Sequence, residues 1–323
     1  KGDEELFDAN GKLTGTVKPL IAEDLDWFKP IERLGYRQEY NMSANAASEK
    51  SSFYLSAAYL DEKGYVKSSD FSRFNGRANV SVTPRKWIKV GMNLAGSYQE
   101  SNFTDTDGNN SYINPFYYSR FMAPIYPVHQ HDLSSANGDY ILDGAGNKQY
   151  DDGNSRGQNE NRHIAWELED NLAKSYRTTL NGQLYADIKF LKDFTFSIKG
   201  DMSLRNSEAQ TYNNALIGDG AGSNGRASRT IYRYMNYTFQ QQLTWQRTFG
   251  EHNVDALLGH ENYYYHYNYL YNYKTNQTFP GQTTLNNFSE MTTMTDYYND
   301  VRSESYLARA RYNFANKYFA EAT

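Results

Sequence analysis

The chain of 323 residues contains no cysteine, which excludes disulfides and thiolate metal sites and leaves its redox compartment open. Nowhere do eighteen or more apolar residues run together, so no helix spans a membrane. Lysine and arginine number 33 against 38 acidic residues, and the basic residues are scattered rather than clustered. At a net charge of −5, no nucleic-acid partner is expected. No nucleophile motif, phosphate loop or spaced acidic pair is present, so an enzyme is not expected. The six histidines (129, 131, 163, 252, 260 and 266) lie far apart. His129 and His131 share one face of an extended segment but lack a third zinc ligand, so no metal is assigned there.

What is abundant is aromatic: 30 tyrosines and 17 phenylalanines, at a mean hydropathy of −0.84. That is too aromatic for a disordered chain, and it suits β-strands, the interfacial belts of a membrane barrel or a sugar-stacking surface. Residues 39–64 set the pattern. Tyr40, Met42, Ala44 and Ala46 alternate with Asn41, Ser43 and Asn45; after a turn at Ser48-Glu49-Lys50, Phe53, Leu55, Ala57 and Tyr59 share a face. Alternation of period two makes a strand with one apolar and one polar face.

The pattern repeats along the chain. Residues 1–36 read as an irregular segment, with a short helical turn over Asp24–Phe28. Strands are expected over 37–48, 51–60, 71–82, 87–99, 174–189, from 194 to about 206, over 230–248, from 254 through 273 and over 303–314. A tenth begins at Tyr318. Connections after the odd strands are a few residues long. Those after the even strands are long, covering Asp61–Asp70 and then roughly 100–172, 207–229 and 275–300. In an antiparallel meander this puts trimmed turns at one end and elaborate loops at the other, as in outer-membrane barrels. The expected fold is therefore all-β: a partial transmembrane antiparallel β-barrel over 37–323, its long loops extracellular. Phe196, Ile198, Val90, Met92, Ala308 and Ala310 should face lipid, and Asn181, Gln183, Arg77 and Arg309 the lumen. The competing reading is a soluble or surface β-rich glycan-binding module without transport activity. Lys1–Glu5 is charged and loop-like, and Tyr318–Thr323 stops inside a strand-like pattern. Both ends read as cuts in a longer protein, and residues 1–323 alone are not expected to close a barrel.

Certain words along the chain are also familiar. Ser48-Glu49-Lys50 is followed by Tyr59-Leu60-Asp61-Glu62-Lys63-Gly64, Ser69-Asp70-Phe71, Arg73-Phe74-Asn75 and Trp87-Ile88-Lys89-Val90-Gly91. Later come Tyr126-Pro127-Val128, Leu243-Thr244-Trp245, Thr248-Phe249-Gly250-Glu251-His252-Asn253, Ser305-Tyr306-Leu307-Ala308-Arg309 and Tyr312-Asn313-Phe314. This ordered series, covering most of 36–323, resembles the SusC/RagA family of TonB-dependent outer-membrane transporters of Bacteroidota. Ala46-Ala47 departs from the family's usual Gly-Gly. The resemblance implies a barrel of about twenty-two strands, roughly ten of them here, with a plug and TonB-contacting motif not visible in this chain. It also implies import of oligosaccharides or peptides in the outer membrane of a Gram-negative cell. The implied partners are a SusD-like surface lipoprotein, TonB-ExbB-ExbD through an N-terminal region, and the lipid bilayer with its lipopolysaccharide.

Two aromatic groups are candidates for substrate binding. One is the loop patch Tyr112, Phe116, Tyr117, Tyr118 and Tyr126, which either stacks on a solute or folds on itself around Pro115, Pro124 and Pro127. The other is the odd-numbered ladder Tyr263–Tyr273, chiefly Tyr265, Tyr267 and Tyr269. Without a bulge this ladder lines the inner wall of the extracellular vestibule, as packing or as a solute surface. Asp105, Asp107 and Asn109 resemble the start of a Ca²⁺ loop, with Asp139, Asp143, Asp151 and Asp152 as further ligands. The twelfth position is Phe116 rather than Glu, and such clusters are ordinary turn formers, so no cofactor is assigned. Arg73, Arg77, Arg309 and Arg311 fall in the lumenal register, either forming salt bridges to a plug or a neighbouring strand or attracting an anionic solute.

Overall fold

The computed structural model describes residues 9, 10, 12, 21, 23–102, 113–154 and 156–323. Ten strands hydrogen-bond in chain order into one antiparallel sheet. They are β1 (Tyr36–Ala47), β2 (Ser51–Lys63), β3 (Asp70–Arg85), β4 (Ile88–Asn102), β7 (Leu172–Phe190), β8 (Phe194–Asn213), β9 (Arg226–Phe249), β10 (His252–Gln277), β11 (Phe288–Phe314) and β12 (Tyr318–Ala322). Between β4 and β7 lie a two-residue hairpin, β5 (His131–Asp132) with β6 (Asp139–Tyr140), and two short helices, α1 (Pro115–Phe121) and α2 (Ile164–Asp170). β1 and β12 are the sheet's two edges.

The turns 48–50, 86–87, 191–193, 250–251 and 315–317 all lie at one end of the sheet. The connections 64–69, 103–171, 214–225 and 278–287 lie at the other. Leu191 and Lys192, and Ala315 and Asn316, are left-handed pairs, the backbone of the primed hairpin turns that match strand twist. The loops are shorter than the alternation implied: β8 reaches Asn213, β9 starts at Arg226, and β11 starts at Phe288 rather than 303. Residues 288–302 lack an apolar alternation, although the backbone ladder to β10 continues. The turn expected over 24–28 sits one step on, where Phe28 O accepts from the N–H groups of Ile31 and Glu32, and Asp26 Oδ1 caps Phe28 N.

Register fixes the two faces. One row runs Asn79, Asn93, Gln183, Asp201, Thr238, Tyr263, Ser303. The adjoining row on the opposite face runs Val80, Met92, Leu184, Gly200, Phe239. The polar face is a hydrogen-bonded lattice. Asn93 Nδ2 donates to Gln183 Oε1 at 2.7 Å, and Gln183 Nε2 to Asp201 at 2.7 Å. Ser203 donates to Asn181 at 2.7 Å, and Gln246 to Asp255 at 2.8 Å. On this face Tyr185 lies over Gly91, where a Cβ would meet its ring at 2.3 Å. On the opposite face the large side chains of the belt stand open, Leu184 at 63% and Leu258 at 61% exposure. Cross-strand hydrogen bonds on that face gather toward the loop end, where His260 bonds Gln241 and Glu304 and Tyr264 donates to Asp300.

The apolar belt slides along the strands. On β1 it centres on Ala44, whose row passes Leu55, Ala78, Leu94, Gly182, Met202 and Tyr237 to reach Arg302 on β11. On β11 it centres near Ala308, whose row returns through Leu258, Leu243, Phe196 and Ile188 to Ile88. A belt level with a bilayer must drift through the register in this way when strands tilt around a barrel.

The loop end carries a separate core. Trp27, Ile31, Val66, Tyr118, Met122, Val128, Ile164, Ala165 and Leu168 bury one another, joining four stretches distant in sequence. Asn114 caps α1, its side chain accepting from Phe116 N and Tyr117 N, with Pro115 at the first position. His163 caps α2: Nδ1 accepts from Trp166 N at 3.1 Å while Nε2 donates to Val128 O at 2.8 Å. Only a neutral imidazole does both, and burial pushes His163 down to about 3. Trp27, Phe28 and Ile31, which precede β1, thus pack into this unit.

Candidate functional site

On the polar face above the belt, β10 meets β9 and β11 in a wall of tyrosines. Tyr267 lies 4.7 Å from Tyr234 and 5.8 Å from Tyr297, ring centre to centre. Tyr269 lies 5.1 Å from both Tyr232 and Tyr297. Tyr265 sits at the lower edge, 6.5 Å from Tyr234. The only register shift between β10 and β11 is at Tyr273/Lys274, beyond the ladder, so its odd residues keep the face of Gln183 and Asn181. The contacts are those of cross-strand packing, each worth about 0.2–1 kcal/mol. The rings are half-buried, Tyr297 the most exposed at 49%, and the Tyr267 hydroxyl shares hydrogen bonds with those of Tyr234 and Tyr297. The even-numbered Tyr264 points the other way, packing on Tyr237 at 5.1 Å.

Tyr271 and Tyr273 carry the ladder up to a cavity of about 340 Å³. Its floor is the polar face, including Ala173, Thr211 and Ser228, and its roof includes Ile164 and Leu168 of α2. The loop unit is anchored over this cavity by Ser68 Oγ donating to Leu168 O, by Lys67 with Glu169, and by Arg162 with Asp219. Burial holds the Glu167 carboxyl above its ordinary range, with Arg162 opposing at 3.3 Å.

The loop patch divides. Tyr118 is fully buried: its hydroxyl donates to Arg162 O at 2.8 Å and accepts from Arg156 at 3.2 Å, and burial pushes it up to about 12. It is a core residue and presents no face to a solute. Phe116 and Tyr126 pack half-buried on the same core, and the Tyr126 carbonyl accepts from Trp27 Nε1. Tyr117 stacks on the exposed Phe121 at 5.2 Å. Tyr112, Asp105, Asp107 and Asn109 lie outside the described residues. Of the further ligands suggested for Ca²⁺, Asp139 accepts from Ser135, Asp143 and Asp152 cap their own turns, and Asp151 pairs with Arg156. Among the described residues no three acidic, histidine or cysteine side chains gather as a metal set. His129 and His131 instead converge on Asp24 at 2.9 and 3.0 Å. Burial alone would raise the Asp24 carboxyl; these donors outweigh it and hold it below the ordinary range.

Arg309 and Arg311 pair across strands with Asp255 at 3.5 Å and Glu321 at 2.9 Å, the ion-pair outcome. The partners that complete the tyrosine wall, Tyr232, Tyr234 and Tyr297, were not among the sequence candidates. Two of them were within reach: residues paired across the 250–251 turn have numbers summing to 501, which sets Tyr232 opposite Tyr269 and Tyr234 opposite Tyr267.

No family model matches the chain. It is 26% identical over 98% of its length to TonB-dependent receptor P39 of Formosa agariphila, covering 28% of that protein. It is 23% identical, again over 98% of its length, to TonB-dependent receptor SusC of Bacteroides thetaiotaomicron, covering 31% of it. In fold it is similar to a structure of the RagAB peptide transporter, with a TM-score of 0.71 and 19% identity over 93% of this chain and 32% of that one. The chain therefore spans about a third or less of these relatives, which are receptors and transporters rather than enzymes.

Proposed function

From the premise that the chain belongs to the SusC/RagA family of TonB-dependent receptors, as a segment of barrel wall, we propose that the protein imports oligosaccharides or peptides across the outer membrane. The observation that carries this reading is the two-faced wall. A hydrogen-bonded polar face with an aromatic strip and a roofed cavity lies opposite an exposed apolar belt that drifts with strand tilt. A soluble glycan-binding module would expose that belt to water as a patch far beyond what soluble monomers carry.

In this reading the belt meets lipid and lipopolysaccharide, and the long-loop end is extracellular. A SusD-like lipoprotein caps the loop end and delivers the solute, and TonB-ExbB-ExbD supplies energy through a region N-terminal to this segment. The tyrosine wall guides the entering solute by offering ring faces and hydroxyls. The test uses the full-length protein in cells. Heat-modifiable gel migration after detergent extraction, together with accumulation of labelled oligosaccharide or peptide that stops when TonB is deleted, is the expected result. A protein that stays in the aqueous fraction and does not change migration on heating would overturn it.

A further inference from the structure

Three adjoining rows of the polar face cross β2 to β10 without a single carboxylate, yet they hold four arginines. Arg73 and Arg177 flank Gln99 in one row, about 10 Å apart across two strand spacings. Arg205 lies in the next row toward the turns, and Arg77 in the row below that. The same three rows end in the tyrosine wall, where the Arg205 guanidinium sits 4.0 Å over the Tyr234 ring. Arg73 Nε is buried and has no acceptor among the described residues.

The contrast lies within one face. Nearer the turns, Arg309 and Arg311 each have a carboxylate on the neighbouring strand. The four higher arginines make no ion pair among the described residues, since Glu39 and Glu62, which stand nearest Arg73 on this face, pair with Arg37. A guanidinium keeps its charge at any physiological pH. Gathered beside an aromatic strip on one face of the sheet, they focus a positive potential on the path through the proposed barrel. Guanidinium forks take carboxylates in paired hydrogen bonds, and the adjoining strip offers flat ring faces.

We infer that this patch, with the tyrosine wall beside it, is a binding surface for an acidic oligosaccharide whose sugar units carry carboxylates. The inference rests on the import reading above and narrows its substrate class. Arg73, Arg177 and Arg205, on β3, β7 and β8, hold the carboxylates, and Tyr232, Tyr234 and Tyr267, beyond them on β9 and β10, stack on the sugar rings at that end of the chain.

The experiment uses the full-length transporter in detergent, titrated calorimetrically with a short oligogalacturonate, with its uncharged methyl ester of equal length and with an acidic peptide of equal charge. The expected result is binding of the oligogalacturonate about tenfold or more tighter than the methyl ester, weakening as salt rises. The variant Arg73→Gln/Arg177→Gln/Arg205→Gln should lose that preference, and the corresponding Lys variant should retain most of it, with heat-modifiable migration intact in both. Equal affinity for charged and uncharged sugars would overturn the inference, as would a Gln variant that keeps the preference. So would loss of the folded barrel in the Gln variant but not in the Lys variant, because the charges would then be serving the structure. Tighter binding of the acidic peptide would overturn the assignment to sugar. Cellular uptake separates the two levels: entry of both sugars at one rate defeats only this inference, whereas no TonB-dependent entry of any sugar or peptide defeats the import reading itself.

Discussion

The wall and the loop unit are built from one chain but obey opposite rules of burial. In the loop unit Trp27, Tyr118, Ile164 and Leu168 are hidden from solvent, and polar groups among them, such as His163 and Arg156, are individually paired. In the wall the apolar side chains are the exposed ones and the polar ones are knitted together. The loop unit faces water outside and is dry within. In the import reading proposed above, the wall faces hydrocarbon on one side and a wet lumen on the other, so its apolar residues need no protein partner, while its backbone must be fully paired. The solvent on each side, rather than hydrophobicity alone, decides where a residue belongs.

The largest expected break in this comparison is Trp27→Ala. Removing the ring at the centre of the loop core should cost about 3–5 kcal/mol locally. Hydrogen exchange across residues 113–171 should accelerate while heat-modifiable migration of the barrel is unchanged. Loss of both together would show that the loop unit and the wall are one cooperative body. Next is Ile198→Arg, expected to cost about 2–4 kcal/mol if it meets the bilayer midplane, against little for Gln183→Arg on the lumenal face. Folding into liposomes under urea measures both, and equal costs would contradict the assignment of faces.

A smaller effect is expected from pH. His163 is depressed to about 3 in the fold. The stability of its neutral, capping form is therefore complete above the ordinary histidine range and is lost as pH falls through that range. At pH 5 about 2 kcal/mol should be gone from the loop unit. Asp24, also lowered, adds the same sign only at more acid pH, whereas Glu167, raised by burial, gains as it protonates and pulls the other way. His163→Gln keeps an acceptor and a donor without a titrating proton, so hydrogen exchange in that variant should lose the pH 5 to 7 dependence. An unchanged dependence would assign it elsewhere. The smallest effect concerns the ladder: Tyr265→Leu, Tyr267→Leu and Tyr269→Leu together should reduce uptake without reducing the amount of folded barrel. Unchanged uptake would leave these rings as packing alone.

The wall was legible because period two and turn lengths are local signals. Val90, Met92, Phe196 and Ile198 fall on one face, and Asn181 and Gln183 on the other, by counting alone. The upper half of β11 was not legible, because residues 288–302 carry no apolar alternation and the strand is set there by its ladder to β10. The loop core was opaque for a different reason: Trp27, Tyr118 and His163 meet across separations that no spacing encodes. One clue was present, since Pro115, Tyr118 and Met122 recur at helical spacing and so mark a buried stripe. Tyr232 and Tyr234 were within reach of the turn arithmetic that places Tyr234 opposite Tyr267, but Arg205 was not, because its register with Tyr234 crosses the long 214–225 connection.

The central claim is that one face of the sheet meets lipid and the other meets water, and the absence of cysteine makes it directly testable. Single cysteines at Met92, Ile198 and Ala310, and at Asn93, Gln183 and Arg309, would be placed one at a time in a cysteine-free full-length protein folded into liposomes. A membrane-impermeant, water-soluble maleimide should label the second set and spare the first, while a lipid-dissolved spin quencher should reach fluorophores on the first set and spare the second. Labelling of both sets alike by the aqueous reagent, or quenching that follows neither face, would contradict the account.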